Sequence, residues 1–362
     1  MKRVSRFGLW VVKLVVLALL LENPVGSVCC ASVLYTEQVD GSRPADSSMP
    51  EDGIIELVTS EERKEFYGLV PPTPLVLPYH KGPLLAADKP ISLYVIYYGS
   101  FSDSQKEVIT DFLSSISSPH ISSQSTPSLR NWWALTQAYT DSHGASVSQT
   151  LLLEGQFSDA LMTHGSNLRD SDLDTIVQTF RSITPLNRNA HSIFLLLTAE
   201  DVYVEGFCRS SCAKRFQALT SADGEIPQPY AWVGNSVGQC PGFCAWPYAK
   251  QHNFGPDMET LRAPNGDLGM DGMIINIAKM VVEIATNPYG TAYYQGSEPS
   301  AAMGAAEACS GIFGRGAYPG YPGELLVDSS TGASFNVHAS KGRKFLVPWI
   351  WNPRSLACAG QV

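Results

Sequence analysis

The stretch Ser192-Ile-Phe-Leu-Leu-Leu-Thr198 decides the fold class of this chain. It carries no charge and its apolar residues are continuous, which predicts a strand buried in the protein interior. A second run, Ile91-Ser-Leu-Tyr-Val-Ile-Tyr-Tyr98, is rich in β-branched and aromatic residues and ends at Gly99. That composition also predicts a strand.

Amphipathic helices are predicted between and after these strands. Apolar residues at helical spacing mark residues 103–115, 170–181 and 273–286, and the last of these segments is stopped by Asn287-Pro288. Shorter elements are predicted at residues 129–138 (helix), 150–154 and 230–233 (strands). Strands that alternate with helices predict an α/β fold. We therefore expect a single layered α/β domain with an irregular, disulfide-pinned C-terminal half.

The first 31 residues are typical of a secretory signal peptide. Lys2, Arg3 and Arg6 precede a mostly apolar run over residues 9–21, and small residues follow at positions 27–31. The apolar run is shorter than the roughly 20 residues that a membrane-spanning helix requires, so a signal anchor is the less favoured alternative.

Residues 32–74 are acidic and punctuated by proline, as in Pro71-Pro72-Thr73-Pro74. Their apolar content is too low for a packed core, which predicts a disordered tail or pro-segment. The folded domain is accordingly expected over residues 75–362.

Six cysteines lie beyond the predicted signal peptide: Cys208, Cys212, Cys240, Cys244, Cys309 and Cys358. An even number in an exported chain predicts disulfides, whose connectivity the sequence leaves open. Local pairs within the two C-x3-C segments and a long closure from Cys309 to Cys358 are among the possibilities. A zinc site on the C-x3-C segments is the less favoured alternative, because zinc ribbons use C-x2-C and thiols oxidise outside the cell.

The charge of the chain argues against one class of partner. The formal net charge is −9 at pH 7, whereas a nucleic-acid-binding protein needs a basic stripe. We therefore expect no nucleic-acid partner and, once the signal peptide is cleaved, no membrane association.

The segment Gly234-Asn-Ser-Val-Gly238 matches the G-x-S-x-G pattern of serine hydrolases. Ser236 would be the nucleophile, and His338 with Asp328 would complete a triad. A nucleophile of this type needs a helix immediately after the serine, but Gln239-Cys-Pro-Gly242 breaks a helix. A tight turn is the favoured interpretation.

Two further patterns also have structural explanations. Residues 264–272 offer oxygen ligands for calcium, but Asn276 stands where an EF-hand loop needs glutamate. Asp267 as a turn residue and Asp271 as a helix cap explain that segment. Large aromatics suggest a platform for sugars, although such residues more often fill cores. They are Trp132, Trp133, Trp232, Trp246, Trp349, Trp351, Tyr293 and Tyr294.

A long ordered series of motifs resembles the plant exordium (phosphate-induced protein) family over about residues 76–358. The most specific stretches are Ile96-Tyr-Tyr-Gly99, Leu196-Leu-Thr-Ala-Glu-Asp-Val202, Ala231-Trp-Val-Gly-Asn-Ser236, Gln239-Cys-Pro-Gly-Phe-Cys-Ala-Trp-Pro247, Ala263-Pro-Asn-Gly-Asp267 and Tyr318-Pro-Gly-Tyr321. The resemblance implies a location in the apoplast or cell wall and a role in growth and cell expansion, linked to brassinosteroid and nutrient status. It implies no known reaction.

The resemblance also directs attention to the helix at residues 273–286. Some family members carry His-Glu-x-x-Glu there, and the corresponding residues of this chain are Lys279, Met280 and Glu283. A protonated lysine cannot ligate zinc and methionine cannot act as a base. Glu283 and Glu307 are the remaining candidates for metal ligands. The resemblance therefore implies a zincin-like scaffold that has lost its metal.

That helix should be a buried structural helix. Lys279 and Glu283 lie four residues apart on one face of it, so they can form an ion pair, but only a weak one, because lysine before glutamate is the less favourable order. We expect a secreted protein without catalysis or cofactor, which acts on an unidentified apoplastic protein or wall polysaccharide. The alternatives are a hydrolase, on a zincin-like scaffold or through Ser236, and a carbohydrate-binding wall protein.

Overall fold

The computed structural model describes residues 75–118, 126–183, 191–218, 227–250, 259–296 and 303–361. In chain order its strands are β1 (Ile91–Tyr98), β2 (Leu151–Asp159), β3 (Asn167–Leu168), β4 (Ser192–Thr198), β5 (Tyr203–Val204), β6 (Ala213–Ala218), β7 (Gln228–Gly234), β8 (Leu326–Val327), β9 (Ser334–Phe335), β10 (Val337–His338), β11 (Lys344–Phe345), β12 (Ile350–Asn352) and β13 (Ala357–Ala359). The helices are α1 (Asp103–Ile116), α2 (Leu129–Ala134), α3 (Asp170–Ile183), α4 (Pro241–Cys244) and α5 (Leu268–Thr286). Short 3-10 turns follow at Leu135–Ala138, Glu307–Cys309 and Ser340–Gly342.

The two uncharged runs are adjacent strands at the centre of a five-stranded sheet. The sheet order is β2-β1-β4-β7-β6, in which the first four strands are parallel and β6 runs antiparallel to β7. Every residue of β4 and β7 is buried. Parallel strands covered on both faces have no solvent-exposed side, which explains why β4 lacks the polar alternation of a half-exposed strand.

Alternate residues of β1 face two separate cores. Leu93, Val95 and Tyr97 belong to the core that includes α1, α2 and α5, whereas Tyr94, Ile96 and Tyr98 belong to the core that includes α3. This alternation follows from the two-residue period of a strand. The fold is therefore a doubly wound α/β layer, with helices on both faces of the sheet.

Helix α5 is a core helix: all its residues except Leu268 and Lys279 are buried. It packs along β7, β6 and β4. The expectation of a degenerate zincin-like scaffold is not supported, because the helix expected to carry a lost metal site covers one face of this doubly wound sheet. Among the described helices, none is long and apolar enough to cross a membrane.

Three disulfides join the six cysteines, and they lie in the C-terminal half of the chain. Cys208 pairs with Cys240 and Cys212 pairs with Cys244, so the two C-x3-C segments are cross-linked to each other and neither closes on itself. The third disulfide joins Cys309 to Cys358. Around it the chain forms short two-stranded pairs, β8–β9, β10–β11 and β12–β13.

The predicted signal peptide and the predicted tail or pro-segment lie outside the described residues. Their boundaries at residues 31 and 74 therefore stay predictions.

Candidate functional site

Helix α5 brings the sequence-predicted positions to one region. Asp267 caps its N-terminus by accepting a hydrogen bond from the backbone N–H of Met270 at 3.0 Å. The helix also carries Lys279, Met280 and Glu283, which differ in how much of each side chain is exposed to solvent. Glu283 is 1 % exposed and Met280 is buried, whereas Lys279 is half-buried.

Glu283 is a structural tether. Its Oε1 accepts hydrogen bonds from the backbone N–H groups of Ala306 at 2.7 Å and Glu307 at 3.0 Å. Its Oε2 lies 4.0 Å from Nη1 of Arg215. Burial raises the pKa of Glu283, while the Arg215 charge lowers it. The carboxylate thus fixes the segment that carries Glu307 against α5.

The Lys279–Glu283 ion pair that the spacing allows is not formed. Glu283 faces Arg215 of β6, and Lys279 has no ion-pair partner within the described residues. The i, i+4 spacing places two charges on one helix face, but it cannot reveal that a cation from another strand lies closer.

Lys279, Met280 and Glu307 line one cleft of about 800 Å³. This size falls within the range of about 300–1,000 Å³ that is usual for small-molecule sites. Cys212 and Cys244, joined by a disulfide, form part of its wall. The structure therefore brings three of the four predicted positions together around an open space, with the fourth buried.

The rim of this cleft is aromatic. Tyr318 is 58 % exposed and Phe243 is 47 % exposed, and both line the cleft together with the half-buried Trp246. Sequence reasoning missed the first two as site residues, although both lie in motifs that carried the family resemblance. Only their exposure, which a sequence does not display, separates them from core aromatics.

Most of the predicted aromatic platform lies in the core instead. Trp132, Trp133, Trp232, Trp351, Tyr293 and Tyr294 are buried. Trp349 is half-buried and does not line the cleft.

The described residues contain no group of three or more His, Cys, Asp or Glu side chains placed to hold a metal ion. Of the two predicted ligands, Glu307 is exposed on the cleft, and Glu283 directs one oxygen to backbone amides. A zinc ion normally needs at least three protein ligands. The geometry of these residues favours a binding cleft over a metal centre.

The possible serine triad has structural roles. Ser236 is buried, and its carbonyl accepts the N–H groups of Gln239 and Cys240, which forms a turn before the four-residue α4. Asp328 accepts hydrogen bonds from Lys344 and Ser330. The ring of His338 packs edge-on against Phe335, 5.0 Å between centroids.

The possible calcium segment is occupied by internal hydrogen bonds. Asn265 donates to both oxygens of Asp271, from its backbone N–H at 2.9 Å and its side-chain amide at 2.6 Å. Asp267 accepts from Gln105 in addition to capping α5. Burial raises the pKa of Asp271 to about 7, although the bonds from Asn265 and the charge of Arg343 oppose that rise.

Doubly wound sheets commonly bind ligands beyond the carboxyl ends of their strands, where the strand order reverses. Here that point lies between β1 and β4, and it is closely packed. A Cβ atom on Gly99 would lie 2.9 Å from Asp201 Oδ1 and from Ala199 Cβ. The cleft beside α5 is therefore the better candidate.

Comparisons with known proteins agree on one family. The model of the phosphate-induced protein 1 conserved region matches residues 77–361. The chain is 42% identical to Protein EXORDIUM-like 2 of Arabidopsis thaliana, covering 80% of this chain and 91% of the relative. It is 42% identical to Protein EXORDIUM of the same plant (79% and 90% covered) and 41% identical to Protein PHOSPHATE-INDUCED 1 of Nicotiana tabacum (78% and 88%). No solved structure matches the chain.

Proposed function

The chain belongs to the exordium family of phosphate-induced proteins, and from that premise we propose that it is a secreted, non-catalytic regulator of plant growth and cell expansion. It acts in the apoplast or cell wall by binding a ligand in the cleft beside α5. The observation that carries the proposal is the composition of that cleft, in which an ammonium, one carboxylate and exposed aromatic rings surround an open space.

Secretion is supported by the N-terminal pattern of basic, apolar and small residues. It is also supported by the three disulfides, since disulfides persist in oxidising compartments. The partner of such a protein is an apoplastic protein or a wall polysaccharide.

The side chains at the three positions of α5 that the resemblance singles out support the proposal that the protein is not catalytic. Lys279 and Met280 line the cleft where the resemblance implies a ligand and a base in some relatives. The only carboxylate on α5 that corresponds to such a site, Glu283, is committed to backbone amides. A general base needs an accessible oxygen within hydrogen-bond reach of its substrate, and none of the three α5 positions supplies one.

The proposal is tested by expressing the chain in plant cells that lack it. We expect the mature protein in extracellular fluid, with an N-terminus near Ser32, no stoichiometric zinc, and increased cell length. The double variant Lys279→Gln, Tyr318→Ala should be secreted equally but should not increase cell length. Lys89→Gln, which changes an exposed lysine outside the cleft, is the control.

Retention of an intact Met1 inside the cell would contradict the proposed location. One tightly held zinc ion per chain, in protein purified without an affinity tag, would contradict the absence of a metal-dependent activity.

A further inference from the structure

Lys279 is half-buried, and most half-buried cations of the described residues have a polar partner; Lys106, which also lacks an ion pair, bonds to Ser158. Lys341 and Arg343 pair with Asp111, Lys344 pairs with Asp328, and Lys214 pairs with Asp170. Lys279 has no such partner, although it is half-buried in the cleft. A charge removed from water is costly unless an opposite charge compensates it, so this ammonium favours an anionic ligand.

The cleft also offers a flat apolar surface that is held in place. The backbone N–H groups of Tyr318 and Tyr321 donate to each other's carbonyl oxygens, at 3.0 and 2.7 Å. Their rings pack with centroids 5.1 Å apart. Because the turn fixes Tyr318 before any ligand arrives, stacking on its exposed face costs little ordering entropy.

Glu307 supplies an acceptor on the same cleft. Its backbone is held by the buried Glu283, and its side chain is exposed. It forms no ion pair with Lys279, so its carboxylate oxygens can accept hydrogen bonds from hydroxyl groups of a ligand.

We infer that the cleft binds an acidic oligosaccharide, with a sugar carboxylate paired to Lys279, a sugar ring stacked on Tyr318 and hydroxyl groups donating to Glu307. This inference rests on the proposed function and names its ligand class. A ring with weakly positive C–H faces, hydroxyl groups and one carboxylate complements all three features. A neutral sugar would leave Lys279 unpaired, and an acidic peptide has no ring with many hydroxyl groups.

The test is calorimetric titration of the mature protein with trigalacturonate and with its methyl ester, which keeps the rings and removes the charges. We expect the acid to bind at least about tenfold more tightly than the ester, the effect of one charge-assisted hydrogen bond. Lys279→Gln should abolish this preference and Lys279→Arg should keep it. Tyr318→Ala should weaken the binding of both ligands, and the control variant Lys89→Gln should weaken the binding of neither.

Cellotriose and a triglutamate peptide complete the set of ligands. Equal binding of trigalacturonate, its ester and cellotriose would overturn the inference, as would a preference that survives Lys279→Gln. Binding of the peptide with the same dependence on Lys279, without binding of trigalacturonate, would also overturn it.

The growth assay separates this inference from the proposed function. If the cleft variants lose growth promotion but the wild type binds no acidic sugar, the ligand class is wrong and the proposed function stands. If the sugar binds and the cleft variants still promote growth, the cleft does not serve the proposed function.

Discussion

Glu283 illustrates how a buried carboxylate can act on a site that it does not enter. Its two hydrogen bonds to backbone N–H groups hold residues 306 and 307 against α5, and Glu307 is thereby placed on the cleft. No Cβ would fit on Gly304, since it would overlap Glu283 Oε2. The contact between this loop and the helix therefore depends on both residues.

We predict that Glu283→Leu destabilises the protein far more than Glu283→Gln. Leucine leaves the buried N–H of Ala306 and the part-buried N–H of Glu307 without acceptors, and an unsatisfied buried group costs about 1–3 kcal/mol, whereas the glutamine oxygen can still accept. Urea denaturation monitored by tryptophan fluorescence measures the difference. Equal losses for the two variants would show that the hydrogen bonds to Ala306 and Glu307 do not hold the loop.

Asp271 predicts a pH dependence of stability. Burial raises its pKa from the ordinary 3.8 to about 7 in the folded protein. The hydrogen bonds from Asn265 and the charge of Arg343 oppose this rise, and the charge of Asp267 adds to it. The folded state therefore binds more protons between these values. The contribution to stability is full below pH 4 and declines as the pH rises towards 7, by about 2 kcal/mol from pH 5 to pH 7.

Asp271→Asn should remove this decline. The free energy of unfolding of the wild type and of the variant is measured at pH 5 and at pH 7. Subtracting the variant's values from those of the wild type removes the contribution of all groups that titrate identically in both proteins. The opposite contribution comes from His191 and His338, whose pKa values are lowered by burial, so the wild-type curve alone is not decisive. Parallel curves for the two proteins would contradict the role of Asp271.

At the residue scale, the sequence reveals side-chain chemistry but not partners. It singled out Lys279, Met280 and Glu283 of α5, because these positions could be placed by resemblance. It could not predict that Arg215 would be the cation near Glu283. That contact depends on β6, whose residues Ala-Lys-Arg-Phe-Gln-Ala carry little strand pattern because β6 is an antiparallel edge strand.

At the level of elements, α5 packs against α4 through a glycine. A Cβ atom on Gly272 would lie 2.5 Å from Ala245 Cβ and 2.9 Å from Ala245 Cα. These distances are far shorter than a van der Waals contact between carbon atoms. Glycine is therefore required for the two segments to approach this closely. Cys244 next to Ala245 lines the cleft, and the packing therefore sets the position of one cleft wall.

We predict that Gly272→Ala destabilises the protein by about 1–2 kcal/mol. Overpacking costs about 1–3 kcal/mol, which exceeds the gain of up to about 1 kcal/mol from replacing a glycine within a helix. Chemical denaturation measures the loss. Gly238→Ala is the matched control, since its Cβ would meet no heavy atom closer than 3.8 Å and its cost should stay within about 0.5 kcal/mol. A stabilised Gly272→Ala variant would refute the packing argument.

The strongest elements were predictable because their patterns are local. The sequence placed β1, β4, α1 and α3 within about two residues of their positions, since uncharged runs and helical spacing belong to single segments. The prediction for α5 was wrong at its start, because Asp267 rather than Asp271 caps the helix and α5 begins at Leu268. The strand β2 spans Leu151–Asp159 and is longer than predicted. The prediction was too short because the central residues of β2 alternate between half-buried and exposed positions. An edge strand needs fewer apolar residues than a central one, which weakens its pattern.

The whole molecule depends on pairings between distant segments, and these are not written in any one stretch. The strand order could not be read from the alternation of strands and helices, because several orders satisfy it. The cysteine pairing was open for the same reason. Cys208 pairs with Cys240 because the loop before β6 lies beside the segment after β7, and β6 pairs with β7.

The first described residues belong to this assembly. Leu77, Leu84 and Leu85 are buried in the core that includes α5. Leu85 donates its backbone N–H to the carbonyl of Ala285 at 3.1 Å, near the end of α5. Tyr79 stacks on Tyr293 with ring centroids 4.8 Å apart. The folded domain should therefore need the chain from residue 77 onwards.

We predict that a chain beginning at Pro71 unfolds at the same temperature as the mature chain, whereas a chain beginning at Ala87 does not fold. The shorter chain loses three buried leucines, whose burial contributes about 1.5–3 kcal/mol each. That total is comparable to the roughly 5–15 kcal/mol by which a domain of ordinary stability is folded. Circular dichroism and size-exclusion chromatography of the three chains test the prediction. A chain from Ala87 that melts cooperatively within about 2 °C of the mature chain would show that the segment before Ala87 is not part of the domain. A chain from Pro71 that fails to fold would show that the domain begins earlier.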